Sequence, residues 1–441
     1  MTIPNFVSSF MENFKGTVTQ PCLKQLSGLM NARILTFGVS TITNLARVSG
    51  QNPYNNPWHH LISRYSISLW PMAFVLIKLI TDKFDMNSNL VLSIDDTTCL
   101  HKGVKVYGRG KHRDAVRSSA MTVVNLMGHK WVVVCINIKI PGSSRGWALP
   151  VAVGLYRSPE TSQFQGHPHK TPAHIARLLI AKIQRRFPDI KITVVGDQGF
   201  GQHATAKMFS GAKATLVSKF YSDAVLHDLP ETSHHRGRKR IIGKRLPKPE
   251  QVVQKLDIDS IDISIVSWYG GKTREVKLVS GIGHWYRIGK GLVHLRWVFV
   301  RDCQGTHRDE FFYSTDSTLS PLEIVSLYTS RWAIETTFQE CKGHLRLEKT
   351  RVWCEQSVLT LPALLFGVYS VVVLMALELD SLQKTTLWPK KKTITFFDML
   401  STLRGKSWNE ILFINTQATT GLYEISPQQK DQILKALCLA S

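Results

Sequence analysis

Acid is what this chain is short of. Thirty-two Asp and Glu face 55 Lys and Arg, a formal charge of +23 over 441 residues. Such a surplus repels itself unless the partner is a polyanion, so nucleic acid is the first candidate and an anionic membrane surface the second. Cysteine is sparse too. Its seven thiols form no Cys-x-x-Cys pair and leave an odd count; they read as reduced thiols filling core space, with no disulfide or zinc-ribbon framework. The start, MTIPNFVSSFMENFKG, lacks the basic opening and apolar stretch of a signal peptide, so a cytoplasmic location is expected. Long apolar runs are nearly absent. The one near membrane-spanning length, Val358 to Leu377, contains Pro362, Gly367 and Tyr369 and has no flanking basic cluster; it reads as a buried core helix, with no membrane partner expected.

What is present, 43% hydrophobic residues, is enough to bury two or three domains. The first 86 residues carry helical periodicity interrupted at Pro21, Gly28, Gly38 and Gly50. Leu90 to Ile94 is then a continuous apolar run, the pattern of a strand buried on both faces, and it ends in Asp95-Asp96-Thr97. Met121 to Leu126 and Lys130 to Ile138 read as two strands around a turn at Gly128, and Pro150 to Tyr156 as another. Thr171 to Phe187 reads as an amphipathic helix with Ile175, Leu178, Leu179 and Ile183 on its apolar side. Ile190 to Val195 is a second buried strand, ending in Gly196-Asp197-Gln198-Gly199-Phe200. Two strands thus deliver an aspartate at the edge where α/β sheets bind ligands. Alternating segments between Ile261 and Ser314 predict an antiparallel sheet. Ser320, Pro321 and Glu323 then supply a cap, a first-turn proline and a capping box for a helix running to Gly343. On that helix Tyr328, Arg331, Glu335 and Lys342 share one face.

Asp95, Asp197 and Glu335 are three carboxylates that can hold two Mg²⁺ ions, the arrangement that activates an attacking oxygen and steadies a leaving oxygen at a phosphodiester. Arg331 and Lys342 would meet the charge that grows on the phosphate. Two basic segments read either as solvated loops or as DNA-backbone contacts. One is Lys102 to Arg117, with Arg109, Lys111 and Arg113. The other is His234 to Lys248, with Arg236, Arg238, Lys239 and Arg240.

Asp95-x-Thr97 after one strand, Gly196-Asp197-x-Gly199-Phe200 after another, and Tyr328-x2-Arg331-x3-Glu335-x6-Lys342 on a helix together resemble the DDE transposases of bacterial insertion sequences. More narrowly they resemble the group with a Tyr-Arg-Glu-Lys signature around the third acid. The resemblance implies an α/β, ribonuclease H-like core over 87–220 and 319–380, interrupted by a β-rich insertion at 221–318. A helical N-terminal domain at 1–86, used for binding DNA ends, and a helical tail at 381–441 flank it. It implies Asp95, Asp197 and Glu335 as ligands of two Mg²⁺, with Mn²⁺ able to substitute, and Tyr328, Arg331 and Lys342 as holders of the terminal phosphates. Asp95 is chosen over Asp96 because the family places its acid two before the threonine; a strand ending one residue later would select Asp96. The implied partners are double-stranded DNA, both element ends and target, and a second copy of the chain on paired ends. The implied reaction is cleavage at element ends followed by joining of the 3′-hydroxyl to target DNA. Some relatives pass through a hairpin steadied by an insertion-domain tryptophan, for which Trp268, Trp285 and Trp297 are the candidates. The alternatives are a metal-dependent nuclease or resolvase without strand transfer, and an inactive DNA-binding relative acting as a repressor.

Overall fold

Caps and prolines set where the first helices begin. The structure, a computed structural model, describes residues 3–54, 56–64, 67–114, 117–119, 121–210, 214–230, 240–379 and 393–411. In it α1 (Asn5–Glu12) turns Val7, Phe10 and Met11 inward. Pro21 stands in the first turn of α2 (Gln20–Leu35). Thr41 and Asn56 accept backbone N–H groups to open α3 (Ile42–Val48) and α4 (Pro57–Ser63). Pro71 starts α5 (Trp70–Lys83).

The strands that follow are β1 (Asn89–Leu100), β2 (Gly110–Arg113), β3 (Asn125–Lys139) and β4 (Gly146–Tyr156). After α6 (Pro159–Phe164) and α7 (Pro172–Arg186) come β5 (Lys191–Gly196), α8 (His203–Ser210) and β6 (Ala214–Lys219). The β-rich segment supplies β7 (Leu226–His227), α9 (Pro249–Gln254), β8 (Ile263–Ser267), β9 (Thr273–Arg287), β10 (Gly291–Asp302) and β11 (Glu310–Ser314). The described chain closes with α10 (Pro321–Ser330), α11 (Ala333–Gly343), α12 (Glu355–Leu377) and α13 (Phe396–Asn409).

Among the described residues these strands form one eleven-stranded mixed sheet in the order β2-β3-β1-β5-β6-β11-β10-β9-β7, with β4 on β3 and β8 on β9. At its centre β1, β5 and β6 run parallel, which explains why their sequences are apolar on both faces. The antiparallel strands expected after residue 260 are there, and they extend this same sheet, because β11 pairs directly with β6. Helix α7 packs on β3 and β4. The N-terminal helices dock on it through Lys182, whose ammonium lies 4.3 Å from the Trp70 ring, and through the edge-on pair Phe74 and Phe187.

Four expectations are corrected. First, β1 does not end at the aspartates but runs to Leu100, since the ladder with β3 pairs every residue from Leu92 to Leu100. Second, Gly128 is no turn. It lies inside β3, where a Cβ would sit 2.1 Å from the Cys99 carbonyl oxygen, so glycine is needed for the approach of two backbones. Third, Leu178 is 47% exposed and Ile180 takes its place in the core. Fourth, the helix expected over 321–343 is broken after Ser330, and the N–H groups of Arg331, Trp332, Ile334 and Glu335 bond three residues back. The hydroxyls of Thr329 and Ser330 bond the carbonyls of Ser326 and Leu327, and such back-bonding bends helices.

Helix α12 is the long apolar run, long and apolar enough to cross a membrane by composition, yet 72% of its most apolar window is buried against the rest of the chain. It packs on β4 and α13, and Ser370 donates to the Pro150 carbonyl at 2.7 Å. Of the C-terminal tail only 393–411 belongs to the described residues.

Asp302, at the end of β10, gathers the next turn onto its buried carboxylate. The backbone N–H groups of Gln304, Thr306 and His307 donate to it at 3.1, 3.0 and 3.1 Å, and Arg274 stands 3.2 Å away. Burial would raise its pKa; the hydrogen bonds more than reverse this and hold it at about 2. The unfolded value is near 4, so folding depresses this carboxyl. The stability it contributes, on the order of 2 kcal/mol, is present above about pH 4 and is lost as pH falls toward the folded value. Asp302→Asn is expected to flatten that acid limb in urea unfolding measured against pH. An acid limb identical to wild type would remove Asp302 as its source.

Candidate active site

Parallel pairing of β1 with β5 sets Ile94 opposite Gly196, so the next residues, Asp95 and Asp197, emerge side by side. Asp197 occupies a tight turn, its carbonyl accepting from the N–H of Phe200 and Gly201 at 3.1 and 2.9 Å and from the Ser218 hydroxyl at 2.8 Å. A Cβ on Gly201 would lie 2.0 Å from that hydroxyl, which is why a glycine stands there. Glu335 comes from the first turn of α11. Two of the acids meet at Arg331. Its Nη1 donates to Asp95 Oδ2, its Nη2 lies 3.4 Å from Glu335 Oε1, and the charge of Asp197 also reaches it.

Asp96 points the other way, as alternation along a strand requires, and pairs with Lys130 at 2.9 Å. Thus Asp95, and not Asp96, shares the face with Asp197 and Glu335. Burial pushes the Asp95 carboxyl up to about 7, against the pull of Arg331 and with the help of the neighbouring Asp197 charge. Burial also raises Glu335, again opposed by Arg331 and aided by Asp197. For Arg331 burial, the largest influence, acts to lower the pKa, but the charges of Asp95, Tyr328, Glu335 and Asp197 together outweigh it and the guanidinium stays protonated.

Tyr328 is buried, its ring against Phe312 at 4.4 Å and beneath the Arg331 guanidinium at 5.7 Å. Lys342 Nζ donates to the Thr98 carbonyl at 2.7 Å and lies 3.4 Å from Glu348. Arg109 is half-buried and donates to the His101 carbonyl at 3.0 Å, while Lys111 and Arg113 are exposed on β2. Arg240 is exposed; Arg236, Arg238 and Lys239 lie outside the described residues. In the described remainder of that segment Lys244 and Arg245 are exposed, while its backbone is tied down. Gly243 and Leu246 bond back to Asp228 and Leu226 beside β7.

Of the three tryptophans, Trp268 is buried against Tyr269, whereas Trp285 packs among His203, Phe220 and Tyr313, and Trp297 is buried in the sheet core. Sequence reasoning missed Trp332, 43% exposed next to Arg331, and Tyr269, whose ring stands 5.6 Å from it. Position was the available signal, since Trp332 adjoins the motif arginine. A cavity of about 450 Å³ lies elsewhere, between α2, α5, β4 and α12, lined by side chains such as Leu29, Leu76 and Leu365.

Three carboxylates whose charges oppose one another form a hard-oxygen donor set, which suits a divalent cation. Among the described residues, however, no three His, Cys, Asp or Glu side chains are arranged as a closed metal cluster; Asp95 is turned to Arg331. No curated protein matches the chain. The large mixed sheet is compatible with what the family comparison finds: residues 155–370, a stretch that takes in Asp197, Arg331 and Glu335, match the transposase DDE domain, and the match supports a DDE transposase.

Proposed function

We propose that this protein is the transposase of an insertion sequence, of the group with the Tyr-Arg-Glu-Lys signature, built on a ribonuclease H-like core that the β-rich segment interrupts. It cuts double-stranded DNA at the element ends and joins the freed 3′-hydroxyl to target DNA. The observation that carries this reading is the meeting of Asp95 and Glu335 on Arg331, with Asp197 set beside Asp95 just past the parallel pairing of β1 and β5. Asp95, Asp197 and Glu335 would hold two Mg²⁺ ions, or Mn²⁺, and bound there the ions supply Lewis-acid activation of the attacking and leaving oxygens.

The remaining work falls to the chain's own groups. Arg331, once Asp95 turns from it, presents two N–H groups to the scissile phosphate, a fork that fits two phosphate oxygens. Tyr328, packed behind that guanidinium, keeps it from swinging away, and in this state acts on DNA through Arg331. Lys342 is a point charge held by Thr98 and Glu348 for the neighbouring phosphate. The segments around Arg109, Lys111, Arg113 and Arg240 add backbone attraction that positions DNA without reading its sequence. Two element ends call for two such sites, hence a homodimer on DNA, acting in the cytoplasm.

The test uses the DNA flanking the gene. A fragment carrying the inverted repeats found there is incubated with protein and Mg²⁺. Cuts at the repeat boundary and joining to a second DNA are expected. Cutting without end preference or joining would make the protein a nuclease, and binding without cutting would make it a repressor-like relative.

A further inference from the structure

The loop between α11 and α12 holds two arginines in the left-handed backbone region, Arg346 at φ 55° and Arg351 at φ 56°. That region is unfavourable for residues with a Cβ, and such strain concentrates where a chain does something other than fold. The Arg351 side chain is exposed and forms no ion pair among the described residues. Lys349 is exposed beside it. Two residues further, Trp353 is 66% exposed, although its backbone is fixed: its carbonyl accepts the Tyr107 N–H at 2.8 Å.

Tyr107 is itself tied down. Its hydroxyl donates to Glu355 at 2.6 Å and accepts from Arg157 at 2.6 Å, and its carbonyl lies 2.7 Å from His129 Nε2. The arginine loop is therefore stitched to the basic loop that follows β1, where Lys102 and Lys105 are exposed. The nearby acids are already engaged, Glu348 with Lys342 and Glu355 with Tyr107. What faces solvent is a patch of unneutralised cations around one bare indole. It lies beyond Lys342, which Glu348 pairs and whose anchor Thr98 lies three residues along β1 from Asp95.

We propose that this patch carries one DNA strand away from the acids, with phosphates against Lys349, Arg351, Lys102 and Lys105 and an unpaired base stacked on Trp353. The inference rests on the reading of the protein as a DNA-cutting enzyme. Cations that track a backbone and an aromatic face that takes any base are the two parts of a single-strand binding surface. A duplex interior offers the indole nothing to stack on, so the ring discriminates in favour of a frayed or extended end.

Fluorescence anisotropy in EDTA, where nothing is cut, tests this with a blunt duplex and the same duplex bearing a single-stranded extension. Trp353→Ala is expected to weaken binding of the extended DNA roughly tenfold or more while leaving the blunt duplex nearly unchanged, and Trp353→Phe to keep most of the affinity. Lys349→Gln with Arg351→Gln is expected to lower the slope of log affinity against log salt by about 1 to 2 on both DNAs. Trp353 is exposed, so its loss leaves the fold intact, which thermal melting checks. A Trp353→Ala protein that binds extended DNA like wild type, or loses both DNAs equally, overturns the inference while the proposed function stands. A wild-type protein that binds neither DNA overturns both.

Discussion

Glu335→Gln is expected to bind element-end DNA as wild type does and to cut it at least about a thousandfold more slowly. Glutamine keeps the size and the hydrogen-bonding oxygen and removes only the charge. The side chain is one-third exposed, so the change buries no unsatisfied group, and Arg331 keeps its closer partner Asp95. Stability should therefore hardly move. Cutting should collapse, because a neutral amide cannot replace a carboxylate in a hard-oxygen donor set. Glu340, on the same helix, provides the contrast. Its carboxylate accepts from Arg145 at 2.8 Å and from the Tyr369 hydroxyl at 2.7 Å, both from the protein itself. Glu340→Gln should lower the melting temperature and spare the chemistry of the molecules that remain folded. Gel assays of cleavage beside thermal melts read both effects, and near-normal cutting by Glu335→Gln would end the assignment of Glu335 to the chemistry.

How far this site was legible from sequence depends on what kind of signal each part carries. Helix α10 announced itself, since the Ser320 and Glu323 capping box and Pro321 are local devices and the structure forms them as read. Strand β5 was equally plain, because Ile192, Val194 and Val195 are broken only by the small β-branched Thr193 and the run is buried on both faces. The extension of β1 through Asp95-Asp96-Thr97 was not legible. Polar residues read as a strand end, and what keeps them in the ladder is β3, which lies far along the chain. Gly128 misled for the same reason: a glycine signals a turn locally, and only the Cys99 backbone opposite shows it to be a point of close approach. The choice between Asp95 and Asp96 is a question of parity, decided by which face α11 covers. The break between α10 and α11 escaped because no proline or glycine marks it; hydroxyls bonded back to their own helix do.

Arg331→Ala is expected to be the most damaging change to the site's own stability. The guanidinium is nearly buried, it is the partner that both Asp95 and Glu335 face, and its removal leaves the Asp95 carboxyl in a poorly solvated place without a counter-charge. Breaking one side of such a pair costs about 3–5 kcal/mol, much more than the net worth of the pair itself. The cost therefore belongs to the orphaned acid, and this is separable by a double-mutant cycle in urea. Asp95→Asn added to Arg331→Ala should recover a large part of the lost stability, a coupling well beyond the roughly 0.5 kcal/mol scatter of independent sites. Arg331→Lys separates charge from shape. A single ammonium restores a counter-charge for Asp95 but lacks the rigid planar fork that reaches two carboxylates, or two phosphate oxygens, in fixed geometry. Stability should then return toward wild type while cutting remains about a hundredfold down. Strict additivity of the two single changes would show that Asp95 and Arg331 do not act as a pair. Full cutting by the lysine variant would show that the guanidinium contributes only its charge.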